Sequence, residues 1–160
     1  MRRSDESKHR RHDTFVIERT YEAAVDQVFA AWSDPGVKAR WFAGSEQALG
    51  EGYELDFRVG GLEVNRGGPP GGPVYAYRSS FRDIVLDERI VYTYEMDADE
   101  SRISVSVATV EFVAVGDRAT RLVLTEQGAF LDGCDTSSQR EEGTRSLLDA
   151  LGAELARTPG

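Results

Sequence analysis

Cysteine is almost missing from this chain: Cys134 stands alone. No internal disulfide can form, which fits a reducing, cytoplasmic setting. Histidine is nearly as scarce. His9 and His12 are the only two, and both lie near the N-terminus. That argues against a Ser-His-Asp or Cys-His site in a folded domain and removes the usual zinc ligand sets, so no metal is expected. No apolar run approaches the roughly 18 residues that cross a membrane, so membrane insertion is not expected. Arg2-Arg3 has no apolar stretch behind it and makes a poor secretion signal. Phosphate-binding glycine fingerprints are missing too. Gly60-Gly61 and the glycines of residues 67–72 lack a strand–loop–helix context, and no cofactor is expected. Basic residues are outnumbered, 19 Lys and Arg against 28 Asp and Glu, for a formal charge of −9. Positive charge gathers at Arg2, Arg3, Lys8, Arg10 and Arg11, leaving a body more acidic than the whole. An acidic body disfavours nucleic acid as a partner.

What is present describes one domain. At 160 residues, with 40% hydrophobic and 29% charged residues, the chain can bury a real core. Residues 1–12 have no apolar residue after Met1 and read as a disordered basic arm. Residues 13–158 read as a single domain. Residues 14–21, rich in β-branched and aromatic side chains, predict a strand. Val25, Val28, Phe29 and Trp32 form a helical stripe. Asp34, held before proline, ends that helix, and Pro35 opens a second one with Ser33 or Asp34 as its cap. Residues 50–59 alternate cleanly and predict a strand with Tyr53, Leu55, Phe57 and Val59 on one face. Residues 67–73 are a glycine–proline loop. Two long hairpins follow, turning at Asp87-Glu88 and at Gly116-Asp117. In the second, Ile103, Val105, Val107 and Glu111 share a parity, as do Leu122, Leu124 and Glu126. Ser138 with Glu141 fits a capping box for a last helix. Its apolar stripe is Leu147, Leu148, Leu151 and Leu155, with Arg140 facing outward. The order β, α, α, about six strands, α implies an α+β domain: a curved antiparallel sheet of about seven strands around a long C-terminal helix.

Several motifs sharpen this. Val28, Phe29, Ala31, Trp32, Asp34, Pro35, Arg40, Trp41 and Phe42 match a "VF-A-W-DP---RWF" signature. Asp56 to Gly61 match "D-R-GG", and Asp87 to Tyr92 match "P-ERLVY". Thr120-Arg121-Leu122 with Leu124-Thr125 match "TRL-LT". Gly143, Leu147 and Leu151 fit the last helix. On these residues the chain resembles the START-like, or SRPBCC, superfamily with its helix-grip fold. Within it, the chain resembles bacterial proteins similar to the C-terminal domain of the heat-shock-protein-90 ATPase activator. The match spans roughly residues 14–156. It departs at Thr144, where the family often has tryptophan, at Ala24, where it often has proline, and in a longer loop over residues 67–73. The resemblance implies a cavity between sheet and last helix. Superfamily members use such cavities to bind lipids, hormones and polyketides, or to cyclise and hydroxylate substrates. Bacterial single-domain members resemble ligand-binding or stress-related proteins.

The candidate pocket residues follow from parity. Tyr53, Tyr75, Tyr77, Tyr92 and Tyr94 fall on the apolar parity of their strands. On a concave face they would line a cavity with aromatic walls and hydroxyl tips. Phe57, Leu147 and Leu151 join that face. Trp41 and Phe42, from the short second helix, are candidates for the cavity mouth. Glu111 and Glu126 share parity with apolar neighbours, and a carboxylate facing a cavity would have a raised pKa suited to acid–base work. A strand end or a bulge would turn such a side chain outward instead, and Glu111 sits nearer that case. Asp56 and Arg58 read as a surface ion pair. Three readings result. The first is binding of a small hydrophobic or amphipathic molecule without chemistry, which the sequence favours. The second is a cyclase- or hydrolase-type enzyme using Glu126 with pocket tyrosines. The third is a chaperone-interacting regulator, which has the least behind it because the chain has no second domain. Exposed strand edges are compatible with a homodimer.

Overall fold

The computed structural model describes residues 10–133 and 135–157. Residues 1–9 of the expected arm, with His9, lie outside the described residues, and so does Cys134. The elements run β1 (Arg10–Tyr21), α1 (Val25–Ser33), α2 (Pro35–Phe42), a 3-10 turn (Glu46–Ala48), β2 (Tyr53–Leu55) and β3 (Leu62–Gly67). They continue through β4 (Tyr75–Val85), β5 (Arg89–Ala98), β6 (Ser101–Ala114) and β7 (Thr120–Leu131) to α3 (Ser137–Arg157). One seven-stranded sheet has the order β1-β7-β6-β5-β4-β3-β2, and every pairing is antiparallel. β2 to β7 form a meander, and β1 closes its far edge against β7. The curved sheet grips α3, which buries Leu148, Leu151 and Leu155 against it. This is the helix-grip arrangement.

The helical break follows from one residue. Asp34 has an extended backbone, and its carboxylate accepts from the Gly36 and Val37 amides at 2.9 and 3.2 Å. It ends α1 and caps α2, while Pro35 fills a position that needs no N–H. Arg40 then ties α2 to α3 by donating to Glu154 at 2.9 Å.

Four expectations need correction. β1 begins at Arg10, so residues 10–12 belong to the sheet rather than to an arm. Backbone pairing of Arg10–His12 with Ala129–Leu131 needs no apolar side chains. The strand expected over residues 50–59 is only Tyr53–Leu55. Beyond it the chain folds back so tightly that a Cβ on Gly61 would lie 2.0 Å from the Asp56 carbonyl. The cap of α3 is a reciprocal pair two residues earlier than expected. Gln139 donates its amide to the Thr136 hydroxyl at 3.1 Å, and the Thr136 amide donates to the Gln139 side chain at 3.1 Å. Finally, Ile103 is buried as expected, but past a register shift beside it the parity of β6 is inverted from Ser104 on. Val105 is 46% exposed and Val107 is also exposed, while Ser104, Ser106 and Ala108 face the core. Valine suits either side of a pleated sheet. The inner face here needs small side chains because Arg140 of α3 enters beside them.

Candidate functional site

Between the inner face of the sheet and α3 lies a concavity of about 280 Å³. Aromatic residues dominate its walls. Trp32, Trp41 and Phe42 come from the helical pair, and Tyr77, Tyr92 and Tyr94 come from β4 and β5. Parity places these tyrosines inward, and their rings pack in series: Phe42 to Tyr77 at 5.2 Å, Tyr77 to Tyr94 at 4.8 Å and Tyr94 to Tyr92 at 6.1 Å between centroids. α3 supplies the small neighbours Gly143 and Thr144 and, one turn on, Leu147. Thr144 turns its hydroxyl back on the helix, donating to the Arg140 carbonyl at 2.9 Å.

One wall is polar and buried. Glu126, only 2% exposed, accepts from the Tyr94 hydroxyl at 2.6 Å. The same hydroxyl accepts from Arg140 at 2.8 Å. Arg140 spreads its remaining donors over Ser104 at 2.8 Å and Asp135 at 2.5 Å, and it stands 3.6 Å from Glu126. Small residues on β6 make this possible: in register Tyr94 faces Ser106, and Ala108 faces Glu126. Burial pushes the Glu126 pKa above the ordinary carboxylate range, against the opposing pull of Tyr94 and Arg140. Burial also pushes Tyr94 up, and the neighbouring Glu126 adds to that. So the carboxyl is drawn toward its uncharged form and the phenol is kept protonated. Chemically, the group can hold or exchange one proton at the edge of the concavity.

A second buried cluster stands behind the aromatic wall. Lys38 of α2 is 1% exposed, and its ammonium lies 2.9 Å from Glu63 of β3. The Tyr53 hydroxyl donates to the same carboxylate at 2.6 Å. The Lys38 ammonium sits 4.6 Å from the Phe42 ring centroid and 4.8 Å from that of Trp32. Burial pulls the Lys38 pKa down, although Glu63 opposes it. Among the described residues no group of three or more His, Cys, Asp and Glu could hold a metal ion.

A model of the family described as Activator of Hsp90 ATPase homolog 1-like protein matches residues 22–156. The chain belongs to this family. A solved protein from Rhizobium loti, Mll3558, is similar with 47% identity and a TM-score of 0.85, covering 91% of this chain and 99% of that one. A Rhizobium leguminosarum protein is 42% identical with a TM-score of 0.88, over 94% and 99% of the two chains. Norcoclaurine synthase from Thalictrum flavum, solved with dopamine and hydroxybenzaldehyde, is 14% identical with a TM-score of 0.64. It covers 96% of this chain and 91% of its own, and it shares the fold. None of the curated proteins matches this chain.

Of the residues expected to line a cavity in this family member, Trp41, Phe42, Tyr77, Tyr92, Tyr94, Glu126 and Leu147 border the concavity together. Trp41 is not at its mouth. It is 4% exposed, donates its indole N–H to the Ala31 carbonyl at 2.9 Å and belongs to the core as well as to the wall. Five other expected residues lie elsewhere. Tyr75 is 42% exposed at the start of β4. Phe57 packs against Phe29 and Phe81 at ring distances of 5.8 and 5.0 Å. Leu151 is fully buried in the core. Glu111 is exposed on the outer face opposite Arg89, as its inverted strand parity dictates. Tyr53, also expected among the pocket tyrosines, is sealed in the Lys38 cluster. Arg140, Lys38 and Glu63 were not among the candidates. Helical spacing could have found two of them. Arg140 sits four residues before Thr144 and seven before Leu147, on the inward stripe. Lys38 sits three before Trp41 and four before Phe42.

No helix among the described residues is long and apolar enough to cross a membrane.

Proposed function

We propose that the chain binds a small hydrophobic or amphipathic ligand, of aromatic or lipid-like character, between the sheet and α3. The observation that carries this reading is the concavity of about 280 Å³ with aromatic and aliphatic walls and one buried polar group, Tyr94–Glu126–Arg140, at its edge. A mainly apolar hollow with a few converging polar groups is how small-molecule sites are built. The fold shared with a synthase solved with two small aromatic molecules supports it by analogy. Native mass spectrometry of the purified chain tests it. The expected result is a small-molecule adduct, or one formed on adding aromatic probes, that disappears in Thr144→Trp while the fold is kept. Absence of any adduct, together with no binding of such probes in solution, would overturn the reading.

A second reading, an enzyme of cyclase or hydrolase type, has one specific observation behind it. Glu126 is buried, its pKa is raised, and Tyr94 touches it. Under this reading Glu126 is the proton carrier and Tyr94 orients it. Glu126→Gln then retains ligand binding and abolishes turnover. Loss of both together would remove the purely catalytic role.

A further inference from the structure

The walls of the concavity are already occupied by charge from behind. The Lys38 ammonium does not line the concavity, yet it lies 4.6, 4.8 and 5.6 Å from the centroids of Phe42, Trp32 and Trp41, which do. Further along the same series of rings the Arg140 guanidinium stands 5.5 Å from the Tyr94 centroid. An aromatic face attracts cations because its π density is negative. Rings already engaged by Lys38 and Arg140 have that density drawn toward the protein's own cations. What they offer the concavity is correspondingly electron-poor.

The carboxylates are engaged as well. Glu63 holds Lys38 at 2.9 Å, and Asp135 holds Arg140 at 2.5 Å. Glu126 is tied to Tyr94 at 2.6 Å, and burial draws it toward its uncharged form. An incoming cation would find every nearby carboxylate already engaged and the rings already covered by the protein's own Lys38 and Arg140. An incoming anion would find an arginine already spoken for by Asp135, Ser104 and the Tyr94 hydroxyl. The uncharged side chains of Asn65 and Gln139 also border the space and suit a neutral oxygen. The free volume, about 280 Å³, is roughly twice the ~150 Å³ of an apolar cavity that takes benzene.

We infer, resting on the ligand-binding reading above, that the concavity selects an uncharged, electron-rich two-ring aromatic carrying a hydroxyl or carbonyl oxygen, and rejects cations and anions of the same size. Isothermal titration of the full chain at neutral pH with three matched probes tests this: 2-naphthol, 2-naphthylmethylammonium and 2-naphthoate. The naphthol is expected to bind about tenfold more tightly than either ion, the scale of one cation–π or charge-pair contact. In the double variant Lys38→Met, Glu63→Gln, which removes both charges behind the wall, the disadvantage of the ammonium should shrink severalfold. Should that variant not fold, as its melting curve would show, the three probes on the native chain still decide. An ion that binds as tightly as the naphthol overturns the charge selection but leaves the ligand site standing. An unchanged ratio in a folded double variant overturns the part given to Lys38. Binding of none of the three overturns the ligand-site reading and this inference with it.

Discussion

In the Lys38–Glu63–Tyr53 cluster and in the Arg140–Glu126–Tyr94 cluster alike, a tyrosine hydroxyl donates at 2.6 Å to a buried carboxylate that also faces a cation. The settings differ. Lys38 and Glu63 meet at 2.9 Å, each 1% exposed and neither lining the concavity, and they join α2 to β3. Arg140 stands 3.6 Å from Glu126 and divides its donors among Tyr94, Ser104 and Asp135, with the concavity alongside. The same combination of a cation, a carboxyl group and a tyrosine therefore stands in two different settings. Where every partner is supplied by the protein away from the concavity, the cluster fastens elements together. Where a void adjoins it, a partner can be exchanged for a ligand atom.

The sharpest way to break this contrast is Lys38→Met. It strands Glu63 in the interior, and loss of one partner of a buried pair costs about 3–5 kcal/mol. Urea unfolding measures it, and most of the loss should return in Lys38→Met, Glu63→Gln. A loss below about 1 kcal/mol would remove the fastening role. Next come the two tyrosines. Tyr53→Phe and Tyr94→Phe should each cost about 1–3 kcal/mol, since each leaves a buried carboxyl short of a donor. Only Tyr94→Phe should also change affinity for an aromatic probe, read by titration calorimetry. Equal effects on affinity would erase the difference between the clusters. Glu126→Gln gives a smaller, pH-dependent effect. The folded chain holds the Glu126 proton more tightly than the unfolded chain does. The stability this confers is complete below the unfolded pKa and is lost as pH rises through the raised folded pKa. The variant should therefore show a flatter stability curve across that window in thermal melts at a series of pH values, and a steeper one would contradict the raised pKa. Smallest is Arg58→Ala. The Arg58–Asp56 pair is exposed on both sides, and no measurable change in melting is expected.

Much of the architecture is legible in the chain because periodicity reports burial. Alternation on β4 and β5 places Tyr77, Phe81, Tyr92 and Tyr94 inward, and the double break at Asp34-Pro35 separates two helices. The errors on β6 and at Arg140 share one physical source. Hydrophobicity alone sends small and charged residues outward. On β6 that rule chose Val105 and Val107 over Ser104 and Ser106, although space, not polarity, governs that face. On α3 it turned Arg140 to solvent, and it gave no role to Lys38. The polar part of the candidate site is the part hydrophobicity hides, because its charges are buried only by virtue of one another. Glu126 was found because its neighbours Leu122 and Leu124 keep strict alternation with it.

The pairing of the first strand with the last has a consequence in time. β1 joins β7 from Arg10↔Leu131 to Tyr21↔Thr120, so the first strand lacks its partner until about 100 further residues have been made. At roughly 5–20 residues per second, a ribosome needs about 5–20 s to supply them. Until then Phe15 and Ile17, both buried in the finished sheet, have no surface to cover them. A contact of such long sequence separation also slows closure of the fold once the chain is complete. The nascent chain is thus most exposed to aggregation just before β7 and α3 arrive, and the charged side chains along β1 stand as its guard during that interval.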